Sequence, residues 1–302
     1  MFVIKYKKFF ISLSALFVVV SIAVLVIYGL PLGIDFKGGS QLQMTFTGSR
    51  PESLVIQKEL GDAGFADITV QPTGTHGVLL KSHSLTEVER ASVVSAITNK
   101  GTIPATEDSF TTIGPSVGAE LRNKAILSVI LVLIAIILFV AYAFRKVSKP
   151  VSSWKYGVAV VVALVHDIAI PTGAFALLGH FYGVELDTLF VVALLTTLAL
   201  SVADTIVVFD RIRENLRVIP QGTPFESVVG QSLSQTFVRS INTSFVVLVM
   251  VISLAVIGPA STKLFATVLA IGMFFGTYSS IFLASPLLVL FESLQKSTNK
   301  KK

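Results

Sequence analysis

Charged residues inside apolar runs are the positions of this sequence that indicate chemistry. Asp204 lies in SVADTIVVFDRIREN (201–215), whose first half is apolar and whose second half is solvated. His166 and Asp167 are adjacent in VALVHDIAIP, and Arg239 occurs in QSLSQTFVRSINTS. An isolated charge in an apolar segment is costly, so such groups pair with one another, or the carboxylates and the imidazole bind and release protons.

Asp204 lies six residues before Asp210, about 9 Å along a helix, too far for its short side chain to reach the membrane surface. A mid-span aspartate costs about 2.5–3.5 kcal/mol on insertion scales. Thr197, Ser201, Asp204 and Thr205 follow the spacing i, i+4, i+7 and i+8, which places them on one helix face. This polar stripe predicts a helix that faces an interior water path. A structural hydrogen bond between helices is the alternative.

Two interpretations are open for the other intramembrane charges. His166 and Asp167 form a proton relay, since histidine titrates near neutral pH, or they lock neighbouring helices together. Arg239, at the cytoplasmic start of its apolar run, pairs with Asp204 at a similar depth, or it anchors the helix at the lipid headgroups.

The composition is that of a membrane protein. Hydrophobic residues make up 53% and charged residues 14%, against about 45–50% and about 25% in soluble domains, and the mean hydropathy is +0.79. A bilayer-spanning helix needs about 20 apolar residues. The sequence predicts six such spans, over residues 9–27, 125–144, 157–178, 189–209, 241–257 and 265–291. We expect the first to be a retained anchor, because its apolar core is long and no signal-peptide cleavage pattern follows.

The distribution of basic residues predicts the orientation. Fifteen of the 24 lysines and arginines lie at the termini or in the loops on the N-terminal side of the membrane, and the short opposite loops hold only Lys263. The positive-inside rule therefore places both termini in the cytoplasm. The formal charge of +6 is explained by cytoplasmic loops near anionic lipids, and it does not indicate nucleic-acid binding.

The segment between the first two spans predicts an extracytoplasmic α+β domain. Alternating apolar residues in QLQMTFTG, DITVQPTG and GVLLKSHS predict three strands. SFTTIGPSVG is predicted to form the last strand. PESLVIQKELGDAG and SLTEVERASVVSAITNKG predict helices, the second with a capping box of Ser84 and Glu87 and an end at Gly101. The resulting order, β-α-β-β-α-β, is that of the ferredoxin-like fold.

Signatures of covalent or cofactor chemistry are missing from the sequence. Cysteine is absent, which excludes disulfides and thiolate metal sites. We expect His76 and His83 to be exposed hairpin positions, and we expect no metal and no cofactor, because no ligand spacing surrounds them. GIDFKGG (33–39) does not join a strand to a helix as a dinucleotide-binding loop must. Its glycines instead allow a sharp bend where the first span meets the domain.

Five stretches together give the chain a resemblance to the SecF family of bacterial protein-export membrane proteins. They are GIDFKGG (33–39), IGPSVGAEL (113–121), HD (166–167), DTIVVFDRIREN (204–215) and SQTFVRSINTS (234–244), and they occur in the family's order. The resemblance covers nearly the whole chain. It departs from the family pattern just before Asp204, where Ala203 replaces the usual asparagine.

The resemblance implies roles for particular residues. Asp204 and Arg239 are expected to couple proton entry to movement, and His166, Asp167, Ser201 and Thr205 are expected to act as relay or helix-packing residues. Two further motifs are carried over: a cytoplasmic motif of Asp210, Arg211, Arg213, Glu214 and Asn215, and a domain-hinge motif of Gly33, Asp35, Phe36, Gly38 and Gly39.

The expected function is that of an auxiliary subunit of the Sec translocase in the bacterial inner membrane. It promotes export of unfolded proteins with the proton motive force and is not an enzyme. The expected partners are a SecD-like subunit, the SecYEG translocon, the exported polypeptide and membrane lipids, with no nucleic acid. A half-size proton-driven exporter of lipids or small molecules is the alternative, and a non-conducting scaffold is a third. The predicted division is a first span over 1–30, the α+β domain over 31–123, five spans over 124–293 and a basic cytoplasmic tail over 294–302.

Overall fold

The computed structural model describes residues 1–145, 151–220 and 222–299. Two compact units are present. The helical unit comprises residues 1–31, 127–184 and 189–302, and the α+β unit comprises residues 32–126 and 185–188. The basic residues of the predicted tail at positions 300–302, and those predicted in the loop at 146 and 149, lie outside the described residues.

Within the described residues, six helical stretches are long and apolar enough to cross a membrane, which agrees with the predicted number of spans. Most are longer than their apolar runs, because each helix continues into polar sequence that keeps its backbone hydrogen bonds. The helices that lie wholly or mostly in the helical unit are α1 (Phe2–Lys5), α2 (Lys7–Tyr28), α6 (Pro115–Ala143), α7 (Ser153–Tyr182), α8 (Thr188–Val218), α9 (Phe225–Ile257), α10 (Ala260–Ser279) and α11 (Ser285–Asn299).

The longer helices change the predicted depths of two residues. α8 continues past Asp210 to Val218, so Asp204 lies 14 residues, about 21 Å, from the end of its helix. Arg239 does not begin the fifth span, because α9 starts at Phe225 and Arg239 lies near its middle.

The sixth span contains a π-helix, which the apolar pattern does not predict. Residues Ser280–Ala284 form this wide turn between α10 and α11. Ser280 and Ala284 are both fully buried. A π-turn inside an α-helix commonly occurs at functional sites.

An aromatic cluster forms part of the helical core. Tyr156 stacks on Phe144 with ring centroids 5.4 Å apart, and Phe209 packs edge-on against both rings. All three side chains are fully buried. The cluster packs the residue after α6 and the start of α7 against α8 in one core.

The α+β unit has the predicted β-α-β-β-α-β order. Its elements are α3 (Ile34–Lys37), β1 (Gly39–Phe46), α4 (Ser53–Asp62), β2 (Thr69–Thr73), β3 (Gly77–Ser82), α5 (Glu87–Ile97) and β4 (Ala105–Ile113). The four strands form an antiparallel sheet in the order β2-β3-β1-β4. Its core consists of fully buried side chains from strands, helices and loops, including Leu42, Met44, Ile56, Leu80 and Val93.

The predicted capping box of α5 is wrong by two residues. Thr86 is the N-cap: its Oγ1 accepts from the backbone N–H of Glu89, and the Glu89 carboxylate accepts from the Thr86 backbone N–H at 2.7 Å. The Thr86 backbone N–H and, to a smaller extent, the Thr86 hydroxyl, which also donates to the Glu89 carboxylate, lower the pKa of Glu89. Ser84 instead donates to the Ile113 carbonyl. α5 ends at Ile97, before Gly101.

Candidate functional site

Asp204 is bound by a serine of the neighbouring helix. Its side chain is half-buried on α8, and Ser244 Oγ of α9 donates to its Oδ2 at 3.1 Å. Ser244 itself is buried. Ala203, which replaces the family asparagine, is exposed, so the substitution removes no packing inside this chain.

The predicted polar stripe of α8 divides between two neighbours. Thr197 and Ser201 are buried and face α10, and the buried Thr205 contacts the π-helix, whereas Asp204 contacts α9. α10 presents small residues at the same spacing. Gly272 lies against Thr197, and Gly276 lies so close to Ser201 that an added Cβ would be 3.0 Å from the serine Cβ. Small residues allow membrane helices to approach closely and exchange hydrogen bonds.

Ser280 follows Gly272 and Gly276 in this row of small residues. It carries the hydrogen bonds between α8 and the π-helix. Thr205 Oγ1 and Ser280 Oγ are 2.8 Å apart, and Ser280 Oγ donates to the Ser201 carbonyl at 3.1 Å. The contacts between α8 and the π-helix are therefore hydrogen bonds among hydroxyls and a carbonyl.

His166 and Asp167 contact each other and join three helices. His166 Nδ1 lies 2.9 Å from Asp167 Oδ1. The other carboxylate oxygen of Asp167 accepts hydrogen bonds from Ser279 Oγ of α10 at 2.9 Å and from Ser201 Oγ of α8. The side chains of His166 and Asp167 are 1% and 0% exposed. Asp167 is thus a hydrogen-bonding centre among α7, α8 and α10.

Arg239 does not pair with Asp204 within the described residues, contrary to the predicted ion pair. Its side chain is exposed and lines a polar crevice of about 280 Å³ with Asp210 and Glu214 of the cytoplasmic motif. The physical reason is helical geometry: α9 starts 14 residues before Arg239, so α9 lies beside the polar half of α8 at this point.

The cytoplasmic motif fixes the polar ends of α8 and α9 together. The Asn215 side-chain amide donates to Ser232 Oγ and Gln235 Oε1, each at 2.8 Å. Arg211 donates to the same Gln235 oxygen at 2.6 Å and forms an ion pair with Glu214. The two remaining motif residues form an ion pair along the helix surface: Asp210 with Arg213.

The domain-hinge motif makes a specific contact with the start of α8, in addition to the bend that its glycines allow. The backbone N–H and Oγ1 of Thr188 both donate to Asp35 Oδ2 at 2.8 Å, and the Gly33 N–H donates to the Leu186 carbonyl at 2.8 Å. Thr188 is the first residue of α8. Asp35 therefore caps the helix that carries Asp204, as carboxylates do at helix N-termini.

The other motif residues build this cap. Gly38 and Gly39 have φ values of 79° and 139°, which suit the expected bend. A Cβ on Gly38 would meet the Pro115 Cα at 2.7 Å. Phe36 is buried in the α+β unit.

Four site residues were missed by the sequence analysis. They are Ser244, Tyr278, Ser279 and Ser280. The polar run GTYSS inside the sixth apolar span was a usable signal, since hydroxyl residues in a membrane helix commonly bond to neighbouring helices.

Comparison with protein families identifies two matches. The family described as "Protein export membrane protein SecD/SecF, C-terminal" matches residues 93–294, and the "SecD/SecF GG Motif" matches residues 23–49. A "Protein translocase subunit SecF" of Thermobaculum terrenum is 40% identical, with 96% of this chain and 94% of that protein covered. The chain belongs to the SecF family. A SecF of Anaerolinea thermophila is 35% identical, over 95% of this chain and 92% of its own length.

Solved structures of SecDF have the same fold. The crystal structure of SecDF from Thermus thermophilus, described as a translocon-associated membrane protein, matches with a TM-score of 0.83 and 29% identity. SecDF in its super-membrane-facing form matches with a TM-score of 0.70 and 30% identity. The chain is covered to 96% and 99%, but it spans only 38% and 39% of those SecDF chains. It is a multi-pass bacterial membrane protein, and the SecF matches favour a role in protein translocation over an exporter of lipids or small molecules.

Proposed function

We propose that this protein is an auxiliary subunit of the Sec translocase that uses the proton motive force to promote export of unfolded proteins. The observation that carries the proton-coupled part is Asp204. It is a half-buried carboxylate in an apolar helix, and its side-chain partner among the described residues is one neutral serine hydroxyl. A carboxylate held by a neutral donor keeps its charge uncompensated, so a proton arriving there has a direct energetic effect.

Arg239 supports this role from the cytoplasmic side. Its guanidinium lies in the polar crevice with two carboxylates of the cytoplasmic motif, and the crevice includes Val207, which is one turn of α8 from Asp204. We propose that this crevice is the cytoplasmic end of the proton path and that Arg239 sets its charge. The membrane potential supplies about 2.3 kcal/mol per charge per 100 mV.

Movement is coupled to the α+β domain through α8. Protonation of Asp204 removes a charge from α8 and weakens its bond with Ser244. Asp35 holds the first residue of the same helix by two hydrogen bonds. A shift of α8 therefore pulls on the domain-hinge motif. With both termini in the cytoplasm, as the basic residues predict, this domain is extracytoplasmic and acts on the emerging polypeptide.

A SecD-like subunit is the proposed partner. The chain covers only 38% of the Thermus SecDF chain, and a separate SecD-like protein supplies the remainder in our proposal. The helices α2 and α6 fit such a role, since only 11% and 6% of their most apolar windows are buried within this chain. They contact the partner subunit or lipid, and the assembly acts beside SecYEG.

The test is export into inner-membrane vesicles that contain SecYEG and the SecD-like partner, with and without this chain. We expect the chain to increase export and an uncoupler to abolish the increase. Co-purification in mild detergent tests the partner separately. Stimulation that persists with the uncoupler contradicts proton coupling, and recovery of homo-oligomers alone contradicts the partnership.

A further inference from the structure

The His166–Asp167 pair is enclosed by protein, so a net charge on the pair needs a compensating charge that apolar packing does not supply. Three hydrogen bonds reach the Asp167 carboxylate, from His166, Ser201 and Ser279. If Asp167 is ionised and His166 is neutral, the pair carries a net charge of −1 with both side chains almost completely buried. An uncompensated buried charge costs several kcal/mol.

The groups that face the pair supply no compensating charge. Ser201 faces it from α8, and Ser279 and Tyr278 face it from α10. From α2, Ser14 reaches Tyr278, with 3.5 Å between the two hydroxyl oxygens. Tyr278 is the only additional titratable side chain among these contacts of the described residues. A proton taken up by the pair itself is therefore the available neutralising charge. The carboxylate oxygens of Asp167 are already occupied by these three contacts, which leaves His166 Nε2 as the free basic site.

The remaining histidine nitrogen is open to receive that proton. His166 Nδ1 is used by Asp167, while Nε2 is buried and has no hydrogen-bond partner among the described residues. An Nε2–H without an acceptor costs about 1–3 kcal/mol. The neutralised pair thus has an unpaired donor, and the deprotonated pair has an unpaired charge. These opposing penalties allow the proton to be both bound and released.

One neighbour of the pair and one neighbour of Asp204 line the same cavity. The His166 ring stacks on Tyr278, with centroids 5.9 Å apart. Tyr278 and Ser244 both line a cavity of about 230 Å³ between α9 and α10, and Ser244 is the residue that binds Asp204. Most of the other residues that line this cavity are apolar, so it brings the surroundings of the two sites together without supplying a polar path between them.

We propose that His166 and Asp167 form a second proton-binding site, separate from Asp204, in which the pair takes up one proton on His166 Nε2. The proposal rests on the proposed proton-driven function and adds a binding site to it. Binding neutralises the pair, and release restores its charge. Both changes act on Ser279, the residue directly before the π-helix, and on Ser201 of α8.

The test is solid-state NMR of the full chain in lipid bilayers with ¹⁵N-labelled histidine rings. The chain has 4 histidines. His166→Asn identifies the His166 signals by their loss, and its side-chain amide replaces the Nδ1 donor to Asp167. If that variant does not fold, replacing the exposed His76, His83 and His180 leaves His166 as the single labelled ring.

We expect the His166 Nε2 signal to change from the unprotonated to the protonated type as the pH is lowered. We expect Asp167→Asn to abolish this change, because the charge that favours the proton is gone. A His166 ring that keeps one protonation state over the whole pH range in which the protein stays folded overturns the proposal. An unchanged titration in Asp167→Asn overturns it as well.

The NMR result is independent of translocation, so it separates this proposal from the proposed function. Export that depends on the proton gradient, combined with a His166 that does not titrate, rejects only the second site. Gradient-driven export in His166→Asn at the wild-type level also rejects the second site, because the asparagine preserves the hydrogen bond but holds no proton.

Discussion

Ser244 of α9 donates a hydrogen bond to Asp204 of α8 at 3.1 Å. This contact ties the intramembrane carboxylate to a helix whose other half carries Arg239. Of the two interpretations of Arg239, the ion pair with Asp204 is not formed among the described residues, and Arg239 lines a crevice with Asp210 and Glu214. A neutral donor holds the charge in position without cancelling it.

Ser244→Ala should impair gradient-driven export without abolishing it. A hydrogen bond to a charged group contributes about 1.5–3 kcal/mol, and its loss frees the Asp204 side chain. Ser244→Thr keeps the hydroxyl and serves as the matched control. Export into vesicles, at equal membrane levels of each variant, measures the effect. Equal activity of the alanine and threonine variants would show that the contact has no functional part.

Arg239→Ala should strongly reduce gradient-driven export, whereas Arg239→Lys should retain most of it. The guanidinium lies in a crevice with Asp210 and Glu214, so its removal makes the crevice more negative, and a lysine restores the charge. Export with and without an uncoupler is the measurement. If the alanine variant has full gradient-dependent activity, Arg239 is a headgroup anchor and has no part in coupling.

Asp35→Ala should uncouple proton uptake from export. It removes both hydrogen bonds that hold Thr188 and leaves Asp204 and its surroundings unchanged. Thr188→Val removes only the hydroxyl donor, so its effect should be smaller. Proton uptake and export are measured on the same vesicles. Normal export by Asp35→Ala contradicts transmission through this contact.

The α+β domain should fold as an isolated fragment of residues 38–118, because its buried core lies within that range. Thr86→Ala should lower its free energy of unfolding by about 1 kcal/mol, the usual cost of losing a helix N-cap. The Glu89 carboxylate has a lowered pKa. Its stabilising contribution is therefore complete above the unfolded pKa and is lost as the pH falls through the folded pKa.

Chemical unfolding of the fragment at several acidic pH values measures both effects, and Glu89→Gln is the control. The glutamine variant should lose less stability on acidification than the unmodified fragment. A fragment with a random-coil circular dichroism spectrum contradicts independent folding, and identical acid sensitivity of the two forms contradicts the role of Glu89.

Local patterns were sufficient to predict much of the fold. Six apolar runs predict six spans because the bilayer requires about 20 apolar residues in each helix, and alternation with helical spacing gives the order of the α+β elements. The predicted start of α5 was wrong because Ser84 and Glu87 have the same spacing as Thr86 and Glu89. Spacing alone does not show which of the two pairs lies at the N-terminus of the helix.

The site was predicted in its residues and less well in its contacts. Asp204, His166 and Asp167 are visible as charges in apolar sequence, because such charges are costly there. Their partners are serines on helices distant in sequence, and serine is common in membrane helices for packing alone. Helical periodicity placed Asp204 with Ser201 and Thr205, but neighbouring positions on that face contact different helices.

Export by Asp204→Asn is the most direct test of proton coupling at this residue. Asparagine keeps the size of the side chain and an oxygen that accepts from Ser244, but it cannot ionise. Export is measured in vesicles with and without an uncoupler, at matched amounts of chain and of bound SecD-like partner. We predict that Asp204→Asn inserts and assembles normally but gives the same low export in both conditions, whereas the unmodified chain is stimulated by the gradient. Full uncoupler-sensitive stimulation in Asp204→Asn would contradict the assignment of Asp204 as the proton-coupling residue.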